Sequence, residues 1–179
     1  MQSNKLTHQE EKQFKRHIAD LGCRVETVPG DGNCLFGSLA DQLFGDMSRH
    51  PDVRETVVAH MRRERGRFEG FMSDQTFDEY VEKMEKERAW GGNQELAAAA
   101  QVYRRNIVVY LPNARPIKFS STEVEAEEAF NGPTMHLSYH GKNHYNSMRL
   151  TADQQCQGAL PQPPQPFDLP ADVTASTAC

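Results

Sequence analysis

Phe14, Ile18 and Leu21 recur at helical spacing behind Thr7, which stands three residues before Glu10, and Gly22 follows; residues Thr7 to Leu21 therefore read as an amphipathic helix with a capping box and a glycine stop. Cys23 to Val28 alternates and closes on Pro29-Gly30, as a short strand entering a turn does. After the loop Gly30 to Asn33, Leu35, Leu39 and Leu43 repeat every fourth position ahead of Gly45, so a helix begins at or beside Cys34. Further helices are predicted from Pro51 through Val53, Val57 and Met61, and around Phe77, Tyr80, Val81 and Met84, while Phe68 to Met72 has no clear period.

The break Trp90-Gly91-Gly92 precedes Asn93, read as the N-cap of an alanine-rich helix through Tyr103. Ile107 to Leu111 is a continuous apolar, β-branched run ending at Pro112, the pattern of a strand buried on both faces. Ile117 to Phe119, Met135 to Tyr139, and Tyr145 to Leu150 beyond the Gly141-Lys142-Asn143 turn read as further strands. The class is α+β, with helices around a small, mostly antiparallel sheet. We divide the chain into an N-terminal helix (1–20), one folded domain (21–150) and a Gln/Pro-rich tail (151–179) expected to be disordered, with two minimal PxxP spacings and no internal repeat.

The 179 residues suffice for one domain with a proper core. A net charge of -5 argues against a nucleic-acid phosphate binder, although Arg62, Arg63, Arg65 and Arg67 make a local basic patch, more often a solvated helix face than a contact surface. No apolar run is long enough to span a bilayer and residues 1–13 lack a signal-peptide core, so a monomer of the cytoplasm, or also of the nucleus, without membrane contact is expected. Cys23, Cys34, Cys156 and Cys179 form no CxxC pair, which fits free thiols better than a disulfide framework or a zinc ribbon.

A cysteine nucleophile needs a thiolate, an imidazole within reach and donors for an oxyanion. A helix N-terminus acidifies a thiol, and Cys34 is placed at one. The loop Gly30-Asp31-Gly32-Asn33 before it can turn tightly and aim backbone N–H groups into one concavity, the candidate oxyanion hole, with Gly32 and Asn33 as its loop residues. Among seven histidines, His144 enters a predicted strand and is followed two positions later, on the same face, by Asn146, whose amide can accept from the ring and fix its tautomer. His136, His140 and His144 recur every fourth residue, but on strands this spacing does not converge three nitrogens on a metal, and no cofactor is expected.

Gly30-Asp31-Gly32-Asn33-Cys34-Leu35-Phe36 resembles the Cys box of the ovarian-tumour (OTU) family, Trp90-Gly91-Gly92-Asn93-Gln94-Glu95-Leu96 its central segment, and Asn143-His144-Tyr145-Asn146-Ser147 its His box, in the family's order over residues 21 to 150. The resemblance implies a papain-like fold and hydrolysis of isopeptide bonds to ubiquitin, with ubiquitin and polyubiquitin as partners. It also implies Cys34, His144 and Asp31 as active residues, with Asn146 as the polar partner of the imidazole. On physical grounds Asn146 takes the orienting role and Asp31 structures the loop. Gly37 departs from the family pattern, and either loosens the helix or makes room for something packed against it. Trp90 reads equally as core or as groove lining, and Glu95 as an early-helix carboxylate. A ubiquitin-binding module with weak catalysis, or a peptidase for a ubiquitin-like modifier, are the alternatives.

Overall fold

The computed structural model describes residues 7–72, 74–120, 133–140 and 143–151. Helix α1 (His8–Asp20) starts behind Thr7, where both halves of the capping box form: the Glu10 N–H donates to Thr7 Oγ1 at 3.2 Å and the Thr7 N–H to Glu10 Oε2 at 2.7 Å. Strand β1 (Cys23–Glu26) stops two residues earlier than predicted, because the Val28 N–H leaves the ladder to donate to Asn146 Oδ1 at 2.9 Å. Helix α2 (Cys34–Phe44) ends on Gly45 in the left-handed conformation, φ 71°. A 3-10 turn, Met47–Arg49, leads into α3 (His50–Arg63). The aperiodic stretch after it is the single turn α4 (Arg65–Phe68) and another 3-10 turn, Glu69–Phe71.

Helix α5 (Phe77–Glu85) carries a second capping box, Thr76 with Glu79, which the apolar pattern alone did not place. Helix α6 (Asn93–Tyr103) begins one residue earlier than expected: Gly92 is its N-cap and Asn93 its first helical residue, since the capping carboxylate comes from Glu95 rather than from Asn93. The remaining strands are β2 (Ile107–Tyr110), β3 (Ile117–Phe119), β4 (Met135–His140) and β5 (His144–Leu150). Residues 152–179, read as a tail, lie outside the described residues, as do Gly141 and Lys142 of the predicted turn.

The sheet runs β1-β5-β4-β2-β3 and is antiparallel except for the parallel pair of β2 and β4. Its two faces bury two cores. Phe14 and Ile18 of α1 pack with Cys23, Val108, Tyr110 and Met148 on one face, so the helix read as a separate leading segment covers the sheet directly. Phe36, Leu39, Val57, Leu96, Ile107 and Val109 belong to the larger core on the other face, beneath α2, α3 and α6. Strand β2 feeds both, which is why its sequence is continuously apolar. Each such side chain contributes roughly 1.5–3 kcal/mol on burial. No helix among the described residues is long and apolar enough to cross a membrane.

Helix α2 lies along β5, and this pairing places the site. Its N-terminal Cys34 meets the start of β5, with Sγ 4.0 Å from the Asn143 carbonyl, while its last turns meet Ser147 and Arg149. Gly37 makes the room foreseen for it, since a Cβ there would come within 2.9 Å of Val28 Cγ1.

Candidate active site

The loop before Cys34 is held from three sides. Asp31 is exposed, and its Oδ1 accepts from the Asn33 N–H at 2.9 Å; that bond holds the Asp31 carboxyl below its usual range. Gly32 adopts φ +92°, and a Cβ on it would stand 2.4 Å from the Arg88 carbonyl oxygen, so both the backbone conformation and the space demand glycine. Asn33, only 3% exposed, turns its side chain inward, where Oδ1 accepts from Arg54 Nη2 and from the Arg88 N–H, each at 2.8 Å.

Arg54 is the stake to which this loop is tied, and it was not among the residues singled out from the sequence. It is 4% exposed, lies 4.1 Å over the Phe36 ring, and donates from Nη1 to the carbonyls of Met84 at 3.0 Å and Ala89 at 2.9 Å. Burial lowers its pKa, the cost of taking a guanidinium out of water. Its partners are carbonyls from far along the chain, so no local spacing announces it. A cavity of about 430 Å³ lined by His50, Val58, Arg62, Glu85 and one side of Arg54 contains neither Cys34 nor His144.

Cys34, the first residue of α2, is buried, and its N–H is one of the helix-start donors without an intrahelical acceptor. The Asn33 N–H, by contrast, is already committed to Asp31. His144 opens β5, and its Nε2 lies 3.1 Å from Asn146 Oδ1. The same oxygen accepts from the Val28 N–H, which fixes it as the acceptor side of the amide. His144 therefore donates from Nε2, which in the neutral ring leaves the lone pair on Nδ1, on the Cε1–Nδ1 edge that faces Gly30 across the loop. Among the described residues the hydrogen-bond contact of the thiol is the Asn143 carbonyl, and no bond joins the sulfur to the ring. Asp31 makes its bond within the loop, to the Asn33 N–H, and its charge is coupled to His50 and Arg54.

Around the pair lie groups kept neutral. His140 faces His144 across the β4–β5 ladder, bonded from Nε2 to Ser138 Oγ at 2.8 Å and packed edge-on against Phe14 at 5.1 Å. Burial first, and then the neighbouring His144, lower its pKa. Burial likewise pushes the Tyr139 and Tyr145 phenols up. His136 bonds Tyr110 Oη at 3.1 Å, so the three regularly spaced histidines serve three different partners. Among the described residues no three His, Cys, Asp or Glu side chains gather as metal ligands do.

The family model of the OTU-like cysteine proteases matches residues 29–147. The chain belongs to this family. It is 35% identical over 167 residues to ovarian tumor domain-containing deubiquitinating enzyme 7 of Arabidopsis thaliana, covering 93% of this chain and 42% of the relative. It is 33% identical over 141 residues to OTU domain-containing protein 3 of Mus musculus, covering 78% and 34%. The chain thus spans less than half the length of these relatives. The solved OTU domain of OTUD1 shares the fold with a TM-score of 0.70 at 21% identity, over 78% of this chain and 94% of that one. An OTU domain solved in complex with ubiquitin matches at TM-score 0.59 and 25% identity, over 70% and 69%.

In this OTU domain the central segment braces α2. A Cβ on Gly91 would stand 2.6 Å from Leu35 Cδ2, so the backbone at 91 lies directly on α2. Glu95 is the early-helix carboxylate expected, in the first turn of α6, and it is fully buried: it accepts from the Gly92 N–H at 2.7 Å and from the Tyr80 hydroxyl at 2.6 Å. Burial pushes that phenol up, which keeps it a donor. Trp90 is 60% exposed and not a core residue; Gly91, not Trp90, makes the packing contact with α2. The arginine cluster is paired on the surface: Arg62 with Glu85, Arg63 with Glu64, Arg65 with Glu69 and Asp78, and Arg67 with Glu64. Exposed pairs of this kind contribute at most about 1 kcal/mol each.

Proposed function

We propose that this chain is a deubiquitinase that hydrolyses the isopeptide bond between the C-terminal glycine of ubiquitin and a lysine amine, in polyubiquitin or in ubiquitinated proteins. The observation that carries the reading is the His144–Asn146 bond, which aims the unprotonated Nδ1 away from Asn146, toward the loop that presents Cys34. Family membership supplies the reaction class. The names of the relatives, and the solved OTU domain with ubiquitin bound, support the substrate.

In the proposed cycle Nδ1 of His144 takes the Cys34 proton, and the thiolate adds to the glycine carbonyl carbon. The Cys34 N–H at the head of α2 donates to the oxyanion, aided by the positive end of the helix. The imidazolium returns its proton to the departing lysine nitrogen as the C–N bond breaks, leaving a thioester. A water deprotonated by His144 then attacks that thioester, releasing ubiquitin with a free carboxylate and restoring the thiol. Throughout, Asn146 holds the ring, and Asp31 shapes the loop by engaging the Asn33 amide. We place the reaction in the cytoplasm or nucleus and assign it to a monomer.

A ubiquitin derivative bearing a thiol-reactive C-terminus tests this. The expected result is a single adduct on the unmutated chain and none on Cys34→Ala. No adduct, or one that survives Cys34→Ala, overturns the assignment. Reaction with probes of ubiquitin-like modifiers but not of ubiquitin would replace the substrate while keeping the chemistry.

A further inference from the structure

The β4–β5 ladder ends early, and a side chain from α2 stands in the gap. Register runs from His140↔His144 to Leu137↔Ser147, although both strands continue beyond it. The next facing pair would be His136 and Met148. Instead, the His136 N–H donates to Gln42 Oε1 at 2.9 Å, and Gln42 Nε2 donates to the Met148 carbonyl at 2.7 Å. These two backbone groups would bond each other in an uninterrupted antiparallel ladder. The Gln42 carboxamide has replaced one rung of the sheet, accepting on one side and donating on the other as a peptide unit would.

The second Gln42 donor goes to Ser147 Oγ at 2.8 Å; that hydroxyl donates to Asp41 Oδ2 at 2.6 Å; and Asp41 also accepts from Arg149 Nε at 3.0 Å and from its Nη2. Asp41 is buried, and every one of these bonds joins α2 to β4 or β5. Because α2 and β5 run side by side, the clamp sits downstream of the reactive pair on both. From Cys34 to Asp41 or Gln42 is about 11 Å of helix at ~1.5 Å per residue. From His144 to Ser147 or Met148 is about 12 Å of strand at ~3.3 Å per residue. The two lengths agree, so fixing one end of the pair of elements fixes the other.

We infer that Gln42 and Asp41 are positioning residues that set how far α2 slides along β5, and thereby the approach of Cys34 Sγ to the His144 ring. The inference deepens the proposed function and depends on it for the identity of the reacting pair. A slip of even a fraction of one strand residue exceeds the tolerance of a proton transfer, and misplacement by about 1 Å costs on the order of a hundredfold in rate.

The test uses the full chain carrying Gln42→Ala, Gln42→Glu or Asp41→Asn, with Thr76→Ala, a helix-cap loss remote from the clamp, as the control for general destabilisation. Two readings are taken on each folded variant: kcat and KM on an isopeptide-linked diubiquitin, and the rate of Cys34 alkylation by iodoacetamide at about pH 6 relative to about pH 9, which reports imidazole-assisted reactivity without substrate. We expect kcat to fall about tenfold or more in the Gln42 variants with KM within about twofold, and the alkylation ratio to fall with it. Thr76→Ala should lower Tm and leave both unchanged. A Gln42 variant that loses kcat with an unaltered alkylation ratio, or that loses neither, overturns the inference. If Gln42→Ala does not fold, Gln42→Glu, which keeps the acceptor for His136 and loses the donor to Met148, decides. Should the unmutated chain fail to cleave diubiquitin, the functional reading falls, while the alkylation ratio still tests the clamp.

Discussion

Asn146 Oδ1 lies 3.1 Å from His144 Nε2 while accepting the Val28 N–H at 2.9 Å, so one buried oxygen both fixes the tautomer of the histidine and ends strand β1. Asn146→Ala removes both bonds. It leaves the Val28 N–H without an acceptor, at a cost of about 1–3 kcal/mol, and frees the ring. We expect kcat/KM to fall by on the order of a hundredfold and Tm to drop, whereas Asn146→Asp, which keeps an acceptor in place, retains most activity. Steady-state kinetics and thermal melts of the two variants check this; equal losses in both would separate Asn146 from ring orientation.

Gly32 combines a positive φ with a Cβ position only 2.4 Å from a backbone oxygen. Gly32→Ala cannot be absorbed by rotating a side chain, and costs at least about 1–3 kcal/mol in strain. Denaturant unfolding should show that loss, accompanied by slower reaction of Cys34 with a ubiquitin probe. An alanine variant of unchanged stability would refute the geometry of the loop.

Arg54→Met leaves Asn33 Oδ1 and the carbonyls of Met84 and Ala89 each short of a donor. A loss of about 3 kcal/mol or more is expected, although Arg54 makes no bond to Cys34 or His144. Arg54→Lys should not restore it, because one ammonium cannot reproduce the fork that reaches three acceptors in different directions. Chemical denaturation of both variants measures the difference.

His136 and His140 both have pKa values lowered by burial. In the unfolded chain they take up protons near the ordinary histidine value of about 6.5, and in the folded chain only at lower pH. Between those two values the unfolded state binds more protons, so stability is complete above about pH 6.5 and declines as pH falls through the folded values. Unfolding free energy followed from neutral to mildly acidic pH should decline, and the decline should shrink in His140→Asn. A flat profile in the unmutated chain would contradict the burial of these rings.

What the sequence made legible was local. The Thr7–Glu10 cap, Cys34 at a helix start and His144 two residues from Asn146 are relationships within a turn or a strand, where backbone geometry alone dictates which side chains meet. Arg54, Asp41 and Gln42 carry no such local signal, because what each does depends on groups brought in from elsewhere in the chain: Asn33 for Arg54, Arg149 for Asp41, His136 and Met148 for Gln42; for Glu95 the early-helix position was legible but its Tyr80 partner was not. The parallel pairing of β2 with β4 was hidden for the same reason, since alternation and apolar runs carry no record of strand order. Trp90 misled half of its reading because size and apolarity say where a residue is usually found, and its neighbour Gly91 took the packing role.

The central claim is that Cys34 and His144 act together on an isopeptide bond to ubiquitin. Cleavage of a panel of isopeptide-linked diubiquitins by the unmutated chain, Cys34→Ala and His144→Ala tests it most directly. We predict release of monomeric ubiquitin from at least one linkage by the unmutated chain and from none by either variant. Cleavage that persists in Cys34→Ala or His144→Ala, or no cleavage of any linkage by the unmutated chain, would contradict the account.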